Sequence, residues 1–298
     1  MNTLTRGGEN VQKLMEALGG PVPKEAECKS QVSLLNIVRE RVIKEQQRRA
    51  EFAKLQLQAQ APFMAIFQEY HKPEEVQKFR DLAEPELKAF CPPRPAGFPK
   101  RFPVEPRFQI GSNAVIKGPP YDTSFTENFS VGGFVWIDAP RDGICGFSIS
   151  GQGTTGWAAL GWGTWFWSIT DNPLSRLSAY LDYLCFNWTN CSLWYPGYSE
   201  ASVNLSVWGA REDDWIIQQS SFYPNWKDTA YGVFACHGDS QQGLANLIQT
   251  YFPTLSNSWY LVWVWTYGLV EDYRGSGFGF SVANASMDMY VPYVAFEP

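Results

Sequence analysis

The residues best suited to chemistry are acidic. Glu212-Asp213-Asp214 and Glu271-Asp272 both fall in predicted loops beside Trp-bearing strands. Two carboxylates next to an aromatic platform are what a glycosidase uses, one as acid and the other as base or nucleophile. Asp213, Asp214, Glu271 and Asp272 are therefore the residues through which an enzyme would act. The same description fits a solvated acidic hairpin tip, and the non-catalytic reading stands ahead. Loops of this kind also coordinate calcium, so calcium is the one ion left open and no other cofactor is implied. Only two histidines are present, His71 and His237. Cys236-His237 with Asp239 has the residue types of a nucleophile and a base, but neighbours in a strand point to opposite faces and do not readily meet. The chain has no His-x-x-His, His-Glu-x-x-His or Cys-x-x-Cys pair, so zinc has no evident site. Gly151-Gln152-Gly153-Thr154-Thr155-Gly156 matches a dinucleotide fingerprint by letter, yet no helix follows it, and it reads as a turn between strands.

Aromatic residues offer the other chemistry. Trp and Tyr faces stack on sugar rings, and loop Asp and Asn bind hydroxyls. Trp162, Trp188, Trp194 and Trp226 lie in or near predicted loops and are the candidate ligand platforms. Trp263 and Trp265 are expected in the core, and most tryptophans are expected to fill the space between two sheets. The chain has 13 Trp, which is many for one core, so some should stay exposed or sit at an interface.

The elements that must position these residues divide the chain in two. Every Trp lies at or after Trp136. Residues 1–102 carry a net charge of +4 and residues 103–298 one of −10, which together give the formal −6 of the whole chain. A global charge of −6 gives no support to nucleic-acid coating. The division predicts a helical arm or hairpin over 1–91, a Pro-rich linker over 92–106 and a β-sandwich body over 107–298. From Lys24 to Ala61 there is neither Pro nor Gly, and the residues are good helix formers. Pro62 is expected to stop or kink this helix, and Pro73 to Phe90 to form a second. Leu35, Val38 and Val42 make one apolar stripe on the long helix. Phe52, Leu55 and Ala59 make another. Lys44 to Arg49 between them is polar all round. A rod of this kind needs a partner to bury its stripes, so these residues are the candidate oligomerisation contacts. Arg39, Arg41, Lys44, Arg48 and Arg49 alternate with Glu40, Glu45 and Glu51, which predicts a solvated face laced with i,i+4 pairs.

Ten strand-like runs follow: Phe108–Ile116, Phe129–Asp138, Ile144–Ser150, Trp157–Ile169, Val203–Gly209, Trp215–Phe222, Ala230–Cys236, Trp259–Val270, Phe278–Ala283 and Met287–Phe296. Their spacing predicts a Trp-rich antiparallel sandwich, jelly-roll-like, and an α+β class for the whole chain. Asn172 to Phe186 fits either helix or strand, and Gln241 to Tyr251 leans helical. In Trp259–Tyr267 the odd positions share one face and the even positions the other, and both faces are apolar. That predicts a central strand covered on both sides. The last strand is expected to close against the first.

The six cysteines read as buried thiols, with Cys185 and Cys191 spaced to close a small loop as the alternative. The first residues lack a continuous apolar core, so no secretory signal is read. The location is expected to be cytoplasmic, or reached by a leaderless route, with no transmembrane segment. The reading favoured by the sequence is an assembly or recognition protein: a homo-oligomer through the arm, with protein or glycan contacts through the body. The alternatives are a lectin-like protein, a carbohydrate-active enzyme using the loop carboxylates, and a leaderless toxin or effector.

Overall fold

The computed structural model describes residues 22–70, 72, 74–75, 78, 113–131, 134–138, 142–152, 155–191, 197–210, 218–230, 235–271 and 281–298. The predicted second helix, the Pro-rich linker and the segment before residue 22 lie almost wholly outside these residues.

Helix α1 runs from Lys24 to Tyr70. Glu25 and Glu27 sit in its first turn, where the helix dipole favours acids. Its 47 residues span about 70 Å. Pro62 lies inside it and does not end it. A proline there removes one backbone donor, and at a solvent-exposed position water can serve the carbonyl left over.

The body holds eleven described strands: β1 (Val115–Lys117), β2 (Thr123–Val131), β3 (Phe134–Asp138), β4 (Ile144–Gln152), β5 (Thr155–Ser168), β6 (Asn172–Cys191), β7 (Gly197–Ala210), β8 (Gln218–Ala230), β9 (Ala235–Thr254), β10 (Ser258–Glu271) and β11 (Ser281–Glu297). The first sheet has the order β3-β4-β11-β6-β9, with β1 also on β11. The second has the order β2-β5-β10-β7-β8. All pairings are antiparallel. Four of them nest: β4 with β11, β5 with β10, β6 with β9, and β7 with β8. A long hairpin folded around its β7–β8 tip and wrapped into two sheets gives this order. The result is a jelly roll preceded by a helix.

The last strand does close against the first, with Val115 opposite Phe296. Gly151 to Gly156 does sit at a strand-to-strand connection, from β4 to β5. Other readings are corrected. Phe129–Asp138 is not one strand but the end of β2 and the whole of β3. Of the runs Trp215–Phe222 and Ala230–Cys236, residues 218–222 and Ala230 belong to β8 and 235–236 open β9, the outermost described strands of the two sheets, while 215–217 and 231–234 lie outside the described residues. Asn172 to Phe186 is strand, and so is Gln241 to Tyr251. The helical spacing of Leu244, Leu247 and Ile248 has a physical cause. A register shift in β9 falls between the partners of Leu181 and Tyr183, so the two-residue period is broken there.

The core between the sheets is built from alternate residues. Phe147 and Ile149 of β4, Leu160 and Phe166 of β5, Leu181 of β6, Val203 and Leu205 of β7, Val262 and Val264 of β10, and Met287 and Met289 of β11 all point inward. Among the tryptophans whose side chains are described, Trp162 alone lies in this space, 2% exposed and 5.9 Å from the Tyr121 ring.

The other tryptophans whose side chains are described form a second core on the outside of the second sheet, under α1. Trp157, Trp165 and Trp167 of β5, Trp208 of β7, and Trp259, Trp263 and Trp265 of β10 pack there with Leu34, Val38 and Val42 of the helix. The expectation that tryptophan fills the inter-sheet space is thus overturned. Strand β10 is central and covered on both faces, as its alternation predicts, but the cover over its Trp face is the helix. Glycine makes the room. Gly161 and Gly163 lie opposite Trp265 and Trp263. A Cβ on Gly161 would fall 2.5 Å from both the Trp265 Cβ and the Val264 carbonyl oxygen.

Candidate functional site

The two outer faces of the sandwich are the places where side chains converge. On the second sheet, α1 lies roughly along β10. Near its start, Ser30 Oγ accepts a 3.1 Å hydrogen bond from Trp263 Nε1. Farther on, Arg39 pairs with Glu127 of β2 at 3.2 Å, and Arg41 pairs with Glu200 of β7. Later still, the Arg49 guanidinium carbon stands 3.7 Å over the Tyr198 ring. The buried helix positions are Ser30, Leu34, Val38 and Val42, one four-residue ridge. Leu35 is only partly buried beside it.

Val38 and Val42 therefore pack on this chain's own sheet and are not free to join copies, and Leu35 packs there in part. The basic run divides in the same way. Arg48 and Arg49 pair within the helix with Glu45, while Arg39 and Arg41 reach the acidic body. The attraction between the +4 and −10 parts of the chain is realised within one molecule at these contacts.

A carboxylate pair does occur here. Glu271 stands opposite Tyr198 on the β7–β10 ladder, and Glu200 is the next outward residue along β7. That diagonal places their Cα atoms about 7–8 Å apart. The environments differ. Glu200 is fully buried, pairs with Arg41 and accepts a 2.6 Å hydrogen bond from the Tyr198 hydroxyl. Burial raises the Glu271 carboxyl to about 7, against a lowering influence from Arg49 and with a further rise from Glu45. One proton-holding and one ion-paired carboxyl is the division an acid–base pair requires. Helix residues Arg41, Glu45 and Arg49 stand over this pair, so in this arrangement the carboxyls anchor the helix. Asp213, Asp214 and Asp272 lie outside the described residues, which leaves Glu271 as the one candidate acid that can be placed.

The outer face of the first sheet carries a different set. Tyr180 of β6 and Tyr293 of β11 stack with ring centroids 4.3 Å apart. Asp182 pairs directly with Tyr290, and Tyr180 with Tyr293. Two residues lie between the two tyrosines of β11 where one lies between their partners on β6, so β11 is bulged at Val291-Pro292. The bulge lets Tyr290 and Tyr293 face the same way although three residues apart. It is pinned from both sides. The Val291 N–H donates to the Gly143 carbonyl at 2.8 Å, and the Val291 carbonyl accepts from the Tyr121 hydroxyl at 2.9 Å. Gly143 has φ +89°, and a Cβ there would fall 2.8 Å from the Val291 oxygen. The β9 register shift lies on the other side of β6, so both neighbours of Asp182 are irregular at its level.

Tyr290 and Tyr293 are partly exposed, while Tyr180 and Asp182 are buried behind them. Burial, with Tyr180 beside it, pushes the Tyr293 phenol up to about 12. Burial also raises Tyr290, with Asp182 and Asp142 adding to the rise. Both phenols therefore stay protonated as donors. The Tyr293 hydroxyl has no hydrogen-bond partner among the described residues. Arg176 and Glu297 close one end of the face with a bidentate pair.

The candidate platforms fare unequally. Trp162 is not in a loop: it lies mid-way along β5, points between the sheets and is unavailable to a ligand. Trp188 stands on β6 opposite Asn284, and Trp226 on β8 opposite Ala201, but their side chains lie outside the description. Trp194 lies outside it altogether. The tyrosine cluster was missed because its geometry depends on a bulge; the letters Val291-Pro292 inside an apolar run were its only signal. Among the described residues no three His, Cys, Asp or Glu side chains gather as a metal would need, and no helix is long and apolar enough to cross a membrane.

No family model matches the chain, and no curated protein matches it. Solved structures resemble parts of it. One, from work on the promiscuous specificity of carbohydrate-binding modules of the β-sandwich superfamily, is 10% identical with a TM-score of 0.23. That match covers 57% of this chain and 56% of that one, so the chain spans about half the length of that structure. A second is the TmCBM61 module in complex with β-1,4-galactotriose, at 7% identity and TM-score 0.16, covering 56% of this chain and 88% of that one. A third is the K1 cleaved adhesin domain of Lys-gingipain from Porphyromonas gingivalis W83, at 9% identity and TM-score 0.19, covering 63% and 92%.

Proposed function

We propose that this chain is a non-catalytic assembly and recognition protein, in which the far half of α1 joins copies of the jelly roll. One observation carries the reading. A single side of the helix serves two stretches, and only the first rests on the body. Leu34 and Val38 are buried against the second sheet. Every described side chain from Ala50 to Tyr70 is exposed, with Leu55 at 64%, Ile66 at 55% and Tyr70 at 76%. Leu55, Ala59, Ile66 and Tyr70 fall within about 60° of Leu34 around the helix axis. Helices in proteins draw most of their stability from packing one face, and no described side chain of these 21 residues is buried in this chain. The stretch from Ala50 to Tyr70 has one Lys and two acids, so identical copies can pair along it with little charge repulsion. Of the stripes read from sequence, this leaves Phe52 and Leu55 as the contacts between copies, with Ile66 and Tyr70 added.

Light scattering coupled to gel filtration tests this. The full chain is expected at a multiple of 33.7 kDa. Leu55→Glu with Ile66→Glu is expected to give the monomer mass with unchanged near-ultraviolet circular dichroism. A wild-type chain that stays monomeric at high concentration would overturn the reading. A second reading, glycan recognition by the body, is favoured by the outward tyrosines around Asp182.

A further inference from the structure

We infer that the outer face of the first sheet is a binding site for a neutral oligosaccharide, with Tyr290 and Tyr293 as its stacking platform and Asp182 at its floor. The inference deepens the glycan reading by giving it a place and a ligand class. Four observations on the adjacent strands β6 and β11 converge there. The Val291-Pro292 bulge turns two tyrosines to one side, and three peptide or hydroxyl groups from Tyr121, Gly143 and Val291 hold that bulge in place. Bulges re-aim side chains and recur beside functional sites. Tyr180 backs Tyr293 at 4.3 Å, which fixes the orientation of the outer ring. Asp182, a buried carboxyl-bearing residue, faces this side on the strand between the two irregular neighbours. The Tyr293 ring stays partly exposed at this face while its hydroxyl oxygen is turned into the protein, so the ring and not the hydroxyl is what the face presents.

The chemistry selects the ligand. A pyranose presents a C–H face to an aromatic ring and hydroxyls around its edge, which suits two phenols beside a carboxyl group. The charge of the surroundings selects among sugars. Residues 103–298 carry net −10, and the guanidinium at the end of this face, Arg176, is paired with Glu297. A uronate or sulfated sugar would meet repulsion here, so the ligand is uncharged.

The test uses the full chain with cellohexaose, xylohexaose, mannohexaose and maltohexaose, and with hexagalacturonate as the charged comparator. Calorimetry reads affinity, and NMR reads the tyrosine rings and the indole N–H groups. At least one neutral hexamer is expected to bind and to shift Tyr290 and Tyr293 while leaving the indoles beneath α1 unmoved. Tyr290→Ala and Tyr293→Ala are each expected to weaken it about tenfold or more, and Tyr290→Leu about threefold or more. If the alanine variants misfold, Tyr290→Leu alone decides, because it keeps apolar bulk and removes the aromatic face. Binding that survives all three changes, or that moves the indoles, overturns the site while leaving the glycan reading. Preference for hexagalacturonate overturns the ligand class. No binding by any neutral hexamer overturns site and reading together.

Discussion

The two outer faces of this sandwich start from similar materials and end in different states. Each has aromatic rings, hydroxyls and a buried acidic residue. On the second sheet the rings are mostly indoles, with glycines opposite them, and α1 lies over them. On the first sheet the rings are phenols around a bulge, and Tyr290 and Tyr293 remain partly exposed. The difference lies in what lies over each face. The helix satisfies Trp263 through Ser30 and Glu200 through Arg41. The large apolar area of the indoles makes their burial profitable at roughly 25 cal/mol per Å². The phenol rings are smaller, and those of Tyr290 and Tyr293 keep part of their surface open.

The strongest way to break this comparison is to lift the helix. Leu34→Asp places a carboxylate without a partner against Trp263 and its neighbours, where Leu34 is fully buried. An unpaired buried charge costs about 3–5 kcal/mol. The helix is expected to leave the sheet while the inter-sheet core stays folded, because the two cores have no residue in common. Tryptophan emission should shift strongly to the red. Unchanged emission with a detached helix would mean that the indoles are not under it.

A smaller change tests whether glycine sets the fit. Gly161→Val puts side-chain atoms onto the Val264 carbonyl and the Trp265 Cβ, both fixed in the central strand. Overpacking of this kind costs about 3 kcal/mol. The expected result is a lower melting temperature and weaker helix protection in hydrogen exchange. A variant as stable as wild type would show that the indoles have room to move.

Much of this contrast is legible in the residues, and the failures have causes. The odd–even division of Trp259–Tyr267 follows from strand geometry alone, and it holds. The length of α1 follows from helix propensity. What sequence does not carry is which layer each face meets. An apolar strand face reads the same under a helix as under a sheet, so the residues alone do not tell which layer the indoles meet or that Val38 and Val42 rest on this chain's own sheet. Strands β8 and β9 were misdrawn because outermost strands need no apolar alternation. Ser220-Ser221 and Gln241-Gln242 pair through backbone, which leaves no pattern to read. The Tyr290–Tyr293 site was invisible because a bulge changes the period from two to three.

Protonation sharpens the comparison further. The Glu271 carboxyl rises from 4.5 to about 7 in the folded chain, mainly through burial. The unfolded chain therefore loses this proton first. Through that window the folded state holds more protons, so stability falls as pH rises, and the penalty is complete above the upper value. The size is about 2 kcal/mol once partial exposure is allowed for. Glu271→Gln should flatten this part of the melting-temperature profile and stabilise the chain at pH above about 8. A mutant whose profile still falls through the same window would place the titrating group elsewhere.

The smallest expected effect separates the ion pairs that hold the helix from those that only accompany it. Arg39 and Glu127 are 3.2 Å apart, but their side chains are 52% and 35% exposed. Arg41 meets Glu200, whose side chain is 1% exposed. Water screens the first pair, and ordering two long side chains offsets most of its attraction, so Arg39→Ala should cost no more than about 0.5 kcal/mol. It should leave tryptophan emission and helix protection as they are, and added salt should erase what little remains. Arg41 offers no such latitude, because removing it strands a buried carboxylate beneath the helix. If Arg39→Ala instead loosened α1 as much as Leu34→Asp, the helix would be held by surface charge. The apolar ridge from Ser30 to Val42 would then not be what distinguishes the covered face from the open one.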